Sequence, residues 1–317
     1  MSTKSRASRR IDLLFTSLVA NPPTALLKNS QGEVNDEVLE EFRVRHLGMD
    51  LESLCNHNHG ALPSFEPMSI EELKNHPICP GLLDHEEASN LYFREYNPPQ
   101  NADAHQSTCW KPRVCSRIVL DYFINYLLGG FPRDLPLCVR SIAHKRQLSR
   151  ISMPNPFLLG GALRGAYPTI HDEWVAGLKL EPEPVNNCVS PHVILGVSQS
   201  YDGHEGQMLF GELAPMITAM YNRARQPEVS NEDQESLFNT PEEITQHKLQ
   251  FPNEVHFPVI VLSFLGPQHG RIFHGQMEDG ELIIRQSRLY SFKHMESAPF
   301  DLFASIALSK PLHTTSM

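Results

Sequence analysis

No run of apolar residues in this chain approaches the ~18 that a membrane-spanning helix needs. The longest apolar patches, such as Phe257 to Leu265, are strand-sized. The six cysteines (Cys55, Cys79, Cys109, Cys115, Cys138 and Cys188) form no dense framework for a chain of 317 residues. A secretory signal is not expected either, because Asp12 and Thr16 interrupt the short apolar run near the N-terminus. The expectation is a soluble cytoplasmic protein with reduced thiols and no membrane partner. Equally missing are GxxxxGK[ST], GxGxxG, GxSxG, HExxH and CxxC. Nucleotide hydrolysis, dinucleotide redox chemistry and α/β-hydrolase chemistry therefore have no direct support.

What is present suffices for a large core, since 40% of the residues are hydrophobic. Residues 1–34 open basic, with no acid before Asp12, and pass through NPPTALLKNSQGEV. They read as a basic, disordered arm and linker, the arm leading into a short amphipathic helix, or as a mitochondrial-type presequence. From residue 35 to 313 we expect a single globular α/β domain, with a mixed sheet in the C-terminal half wrapped by a mainly helical N-terminal half. NDEVLEEFRVRHLG, from Asn35, has a cap residue, early acids, late Arg and His and a Gly stop, which predicts a helix to Gly48. SIEELKNH, GLLDHEEASNLYFREY and RVCSRIVLDYFINYLLGG follow the helical period. From about Pro191 the texture changes. HVILGVSQS is strand-like, MLFGELAPMITAMYNRARQ a helix interrupted or kinked at Pro215, and 228–243 an acidic, mobile loop. FPVIVLSFLG is a buried strand, and GRIFHGQMEDGELIIRQSRLYSF a hairpin turning at Glu278-Asp279-Gly280. APFDLFASIAL closes the fold as an amphipathic helix.

Charge is distributed unevenly. The whole chain carries −10, yet Trp110 to Gly165 holds nine Lys/Arg against Asp121 and Asp134. That segment is +7, which leaves −17 for the remainder. At its centre, VRSIAHKRQLSR presents Arg140, Lys145, Arg146 and Arg150 with no acid among them. Clustered cations are the footprint of phosphate-backbone binding. The plainer reading is a solvated face whose charges pair with acids from elsewhere.

Three acidic groups could carry chemistry. Asp36, Glu37 and Glu40 open the first predicted helix, with Asp36 and Glu40 one turn apart on one face. Adjacent carboxylates raise one another's proton affinity, which suits a general base, although acids in a first helical turn also simply favour the dipole. Asp172 and Glu173 follow His171 and precede Trp174; Asp202 and Glu205 flank a glycine turn just past a buried strand. Cys55, His57 and His59 alternate in CNHNH, and His76 with Cys79 form an HxxC pair. Neither spacing fits a standard zinc site, so no metal and no other cofactor is expected.

The run FPVIVLSFLGPQHGRIFHGQMEDGELIIRQSRLYSF, with APFDLFASIALSKP after it, resembles fungal arginine-containing cyclodipeptide synthases of secondary metabolism. The resemblance implies an aminoacyltransferase that joins arginine from arginyl-tRNA to a residue from a second aminoacyl-tRNA and closes a diketopiperazine, needing neither ATP nor a metal. The family's DDxxE motif does not occur as such; Asp36-Glu37-Val38-Leu39-Glu40 is the nearest spelling and departs at its second position. Under this reading Arg140, Lys145, Arg146 and Arg150 grip tRNA phosphates. Asp36, Glu37 and Glu40, or alternatively Asp172, Glu173, Asp202 and Glu205, supply the base and a guanidinium partner. A second reading takes the strand His192–Ser200, the helix bearing Glu212, the next strand and the hairpin as similar to the later half of a PD-(D/E)XK nuclease-like core. The strand reads Val197-Ser198-Gln199 and has no lysine, which implies a degenerate, non-cutting nucleic-acid-binding member. A third is a non-enzymatic interaction protein that uses the acidic loop 228–243.

Overall fold

The computed structural model describes residues 4–52, 62–79, 93–100, 107–168, 170–230 and 232–312. Its first element is α1 (Arg6–Leu14), started by Ser5, whose hydroxyl accepts the Ser8 N–H at 3.0 Å. A wider π-turn continues it over Phe15–Ala20. Next come α2 (Asp36–Glu41), β1 (Val44–Met49), the short β2 (Phe65–Glu66) and α3 (Ile70–Lys74). The long α4 (Pro112–Leu128) begins with proline in its first turn, where the missing N–H costs nothing, and ends at Gly129 with φ 95. After α5 (Ile142–Lys145) the chain lays down β3 (Leu148–Arg150), β4 (Arg164–Tyr167), β5 (Ile170–Pro182) and β6 (Val193–Asp202). Then follow α6 (Phe210–Arg225), α7 (Gln234–Asn239), β7 (Val259–Gly266), β8 (His269–Glu278), β9 (Glu281–Ser287), β10 (Tyr290–Ser291), α8 (Phe300–Ala307) and β11 (Lys310–Pro311).

Nine strands form one mixed sheet in the order β1-β9-β8-β7-β6-β5-β3, with β4 also on β5 and β10 on β8. Two pairs are parallel, β6 with β7 across α6, and β1 with β9. The other pairs are antiparallel, and β8–β9 turns through Asp279 and Gly280, with φ 50 and 86. Left-handed backbone at both central positions is what a tight two-residue hairpin requires. Both faces of the sheet are covered. Val193, Leu195 and Val197 of β6 pack under α1 and α6, whereas Ile194 packs with α4 and α8 on the other side. This two-sided burial explains why β6 and β7 are continuous apolar runs rather than alternating ones.

The expected α/β class with a mixed sheet, mostly in the C-terminal half, is the class observed. Three local expectations are corrected. The helix from Asn35 stops at Glu41; Arg43 adopts φ 47, and Val44–Met49 becomes an edge strand parallel to Leu282–Ser287. Backbone pairing with β9 outweighs a helical pattern that continued to Gly48. The arm is not free over Arg6–Leu14: the short amphipathic helix expected there is α1, and it buries Ala7, Ile11 and Leu14 in the same core as α6. The segment 228–243 carries α7 and a 3₁₀ turn from Pro241, with Leu237 buried. The helix expected in Gly81–Tyr96 and the CNHNH loop fall largely outside the described residues. No helix among those residues is long and apolar enough to cross a membrane.

Candidate functional site at the carboxyl end of the parallel pair

The parallel strands β6 and β7 end side by side, with Asp202 opposite Gly266. Carboxyl ends of adjacent parallel strands are where open α/β sheets place ligands. The loop from Gly203 to Leu209 leads from there into α6. Glu212, in the first turn of α6, accepts the Leu209 N–H at 2.7 Å, which is the acidic half of a capping box. The same carboxylate receives a bidentate pair from Arg271 of β8, Nε to Oε1 at 2.8 Å and a terminal nitrogen to Oε2 at 2.6 Å. Neither side chain is exposed at all. The other terminal nitrogen of Arg271 donates to the His204 carbonyl at 2.9 Å, so one buried ion pair fastens the loop, the helix start and the sheet together.

Beneath this pair, the Gln199 amide accepts from the Tyr167 hydroxyl at 2.7 Å and donates to the Gly211 carbonyl at 2.7 Å. Burial first, and then the Glu212 charge, raises the Tyr167 phenol well above its ordinary range, so it remains a neutral donor. A Cβ at Gly211 would lie 2.1 Å from Gln199 Oε1 and 2.6 Å from the Tyr167 oxygen, so only glycine fits there.

On the rim, β5 and β6 bring together the second and third acidic groups. Glu173 of β5 hydrogen-bonds through its backbone to the Ser200 hydroxyl of β6, at 2.6 and 3.3 Å. Its carboxylate pairs with Arg113 at 2.8 Å. Burial, with Asp172 adding to it, raises the Tyr201 phenol. Asp202 is exposed, and its Oδ1 and the Pro112 ring at the start of α4 both lie close against Gly266. Burial lowers His269 and raises Cys115 and Tyr96; the Asp202 charge opposes the first shift and adds to the other two. Glu205 accepts the Leu289 N–H at 2.8 Å. His204 pairs with Glu33 at 2.7 Å, and Asn29 holds the other oxygen of Glu33. Glu173 and Glu205 thus have separate partners. Among the described residues no three His, Cys, Asp or Glu converge as metal ligands.

The first acidic group sits elsewhere. Asp36, Glu37 and Glu40 are exposed on α2, and Asp36 bonds Nδ1 of His46 at 3.0 Å while His46 Nε2 meets Gln286. No hydrogen bond or ion pair joins this group to the β5–β6 acids among the described residues. His76 bonds the Asp134 carbonyl at 3.1 Å.

The basic segment is divided by the fold. Arg146 donates to the Leu308 and Glu66 carbonyls at 3.0 and 3.4 Å and lies 3.6 Å from Glu72. It is a structural latch, not a free surface cation. Arg133 is spent on the His76 and Tyr126 carbonyls, Arg113 on Glu173, and Arg117 on Asp121. Lys111, Arg140, Lys145, Arg150 and Arg164 make no ion pair among the described residues. Arg140 and Arg150 line a shallow concavity of about 560 Å³ with Ser141 and His144. Lys179 lies beside Arg150, and burial, helped by that like charge, lowers its ammonium pKa.

Sequence reading missed Arg271 and Tyr167. The available signals were an arginine inside the otherwise apolar GRIFHG strand and a Glu at the third position of a helix with a leucine cap. No protein-family model, no curated protein and no solved structure matches this chain.

Proposed function

We propose that the chain is a nucleic-acid-binding protein on a nuclease-like α/β core that does not cut. One observation carries this reading, the succession of α4, β4, β5, β6, α6 and β7, with α5, β3 and α7 inserted between them: an antiparallel meander followed by a helical crossover to a parallel strand. It extends the similarity seen in the sequence from the later half of a PD-(D/E)XK core to the helix and two strands before it. The chemistry of cutting is lacking on β6, where no lysine follows an acid, and Glu212 is neutralised by Arg271. Arg140, Lys145, Arg150 and Lys179 supply the surface that phosphates would meet. Anisotropy titrations with labelled tRNA, single-stranded DNA and duplex DNA at several salt concentrations test this. Binding that weakens steeply with salt is expected, with the nucleic acid intact after incubation with Mg²⁺. Absence of binding at low salt, or metal-dependent cleavage, overturns it.

The reading as an arginine-using cyclodipeptide synthase draws on the same cations and on Asp172, Asp202 and Glu205, which border the ends of β5 and β6. A carboxylate suits a guanidinium substrate. Expression in a bacterial host followed by mass spectrometry distinguishes the two. Arginine diketopiperazines in the extract favour the synthase, and their absence from cells with abundant folded protein removes it.

A further inference from the structure

A cavity of about 770 Å³ opens at the opposite end of the central strands, where β5 ends and β6 begins. Its wall carries Ser190 and His192. Ser190 Oγ lies 2.5 Å from Nδ1 of His192, and Nε2 of the same ring lies 2.8 Å from the Ser64 carbonyl oxygen. A carbonyl can only accept, so the ring proton sits on Nε2. Nδ1 is then an acceptor, and the Ser190 hydroxyl is its donor. This sequence of hydroxyl, imidazole and orienting acceptor is the arrangement that activates a serine nucleophile.

The surroundings hold the pair in place. His192 is 8% exposed, and the Phe65 ring packs edge-on against it with centroids 4.8 Å apart. Pro191 stiffens the single residue between the two, and Val193 is tied to the Pro258 carbonyl at 3.2 Å. Ser190 remains half-buried at the cavity wall, where a ligand can reach it. The imidazole is thus desolvated and fixed while the hydroxyl is accessible. Val185, Val189, Phe251 and Pro258 give the cavity an apolar side.

We propose that Ser190 is a nucleophile and His192 its base, for acyl transfer from small esters with an apolar acyl group. The Oγ–acyl bond forms as the hydroxyl proton passes to Nδ1, and the ester C–O bond breaks as that proton leaves with the alcohol. Water then adds to the acyl-serine with His192 as base and releases the carboxylic acid, which restores the hydroxyl. The proposal is independent of nucleic-acid binding.

The test treats the full chain with a fluorophosphonate probe and, separately, with p-nitrophenyl butyrate, mapping adducts by peptide mass spectrometry. A single adduct on Ser190 is expected, absent from Ser190→Ala. His192→Gln, whose amide can still donate to Ser64, should slow adduct formation by about 100-fold or more, the scale of a missing general base. Circular dichroism and Tm check that both variants are folded, and Ser190→Ala decides alone if the histidine variant is not. An unmodified Ser190, equal labelling of Ser190→Ala, or an unchanged rate in folded His192→Gln overturns the proposal. The hydrogen bond would then serve only to stiffen the entry to β6.

Discussion

Glu212 and Arg271 hold the loop, the helix start and the sheet together, and neither reaches water. Removing one partner leaves the other charged and buried. Glu212→Gln or Arg271→Met should therefore cost about 3–5 kcal/mol, read as a lower urea midpoint. The double change to Glu212→Leu with Arg271→Met should recover part of this. Full recovery is not expected, because the Leu209 N–H and the His204 carbonyl are also left without their partner. His274 makes a second prediction at this scale. Its ring is buried, and burial first, then the cross-strand Arg285 cation, lowers its pKa from 6.5 to about 3. The unfolded chain takes up the proton near pH 6.5 and the folded one only near pH 3, so protonation favours unfolding between these values. Stability should be fully present above pH 6.5 and fall by about 1.4 kcal/mol per unit as pH drops below it. Urea melts at pH 7, 6 and 5 should show this loss in the native protein and a flatter dependence in His274→Leu.

Among the elements, α1 and β1 depart most from what local sequence suggests. Ile11 of α1 is fully buried against the core shared with α6. Ile11→Ala should lower stability by about 2–5 kcal/mol, the range for truncating a buried aliphatic side chain. A Tm unchanged by the substitution would show that the segment is not packed in solution. The sequence of α1 reads as a short amphipathic helix on a basic arm, and its docking, rather than its helicity, is what depends on a partner surface that the fold supplies. For β1, the difference lies in the competition between helix propensity and strand pairing. Val44 to Met49 are acceptable in either state, and the exposed edge of β9 decides between them. By contrast, α4, β6, β7 and the β8–β9 hairpin were legible, since proline at a start, glycine at a stop and an Asp-Gly turn are local signals.

For the molecule as a whole, the +7 segment matters less for its total than for how the fold allots its charges. Arg146, Arg133, Arg113 and Arg117 are taken by carbonyls or acids, whereas Arg140 and Arg150 share one concavity. Reversing those two with Arg140→Glu and Arg150→Glu should weaken nucleic-acid binding and flatten its dependence on salt, by roughly one unit of log–log slope for each phosphate no longer neutralised. Arg146→Gln should instead lower Tm and leave the slope unchanged, because its guanidinium joins α5 to β2 and the end of α8. Equal effects of the two changes on the salt slope would contradict this division.

The sequence by itself determined the α/β class, the strands β6 to β9, the hairpin turn and the place where cations concentrate, but not β1, β3, β4 or β5 of the same sheet. Each of these is written in neighbouring residues, through periodicity, turn chemistry or charge. Tertiary structure decided that Asp172, Glu173 and Asp202 lie on neighbouring strands β5 and β6, with Glu205 in the loop after them, while Asp36, Glu37 and Glu40 stay on an outer helix. It also decided that Arg271 finds Glu212, that His192 finds the Ser64 carbonyl, and which arginines of the basic segment are drawn into ion pairs. These partners lie tens to more than a hundred residues apart in the chain, and only the strand order and the crossover through α6 bring them within hydrogen-bonding reach.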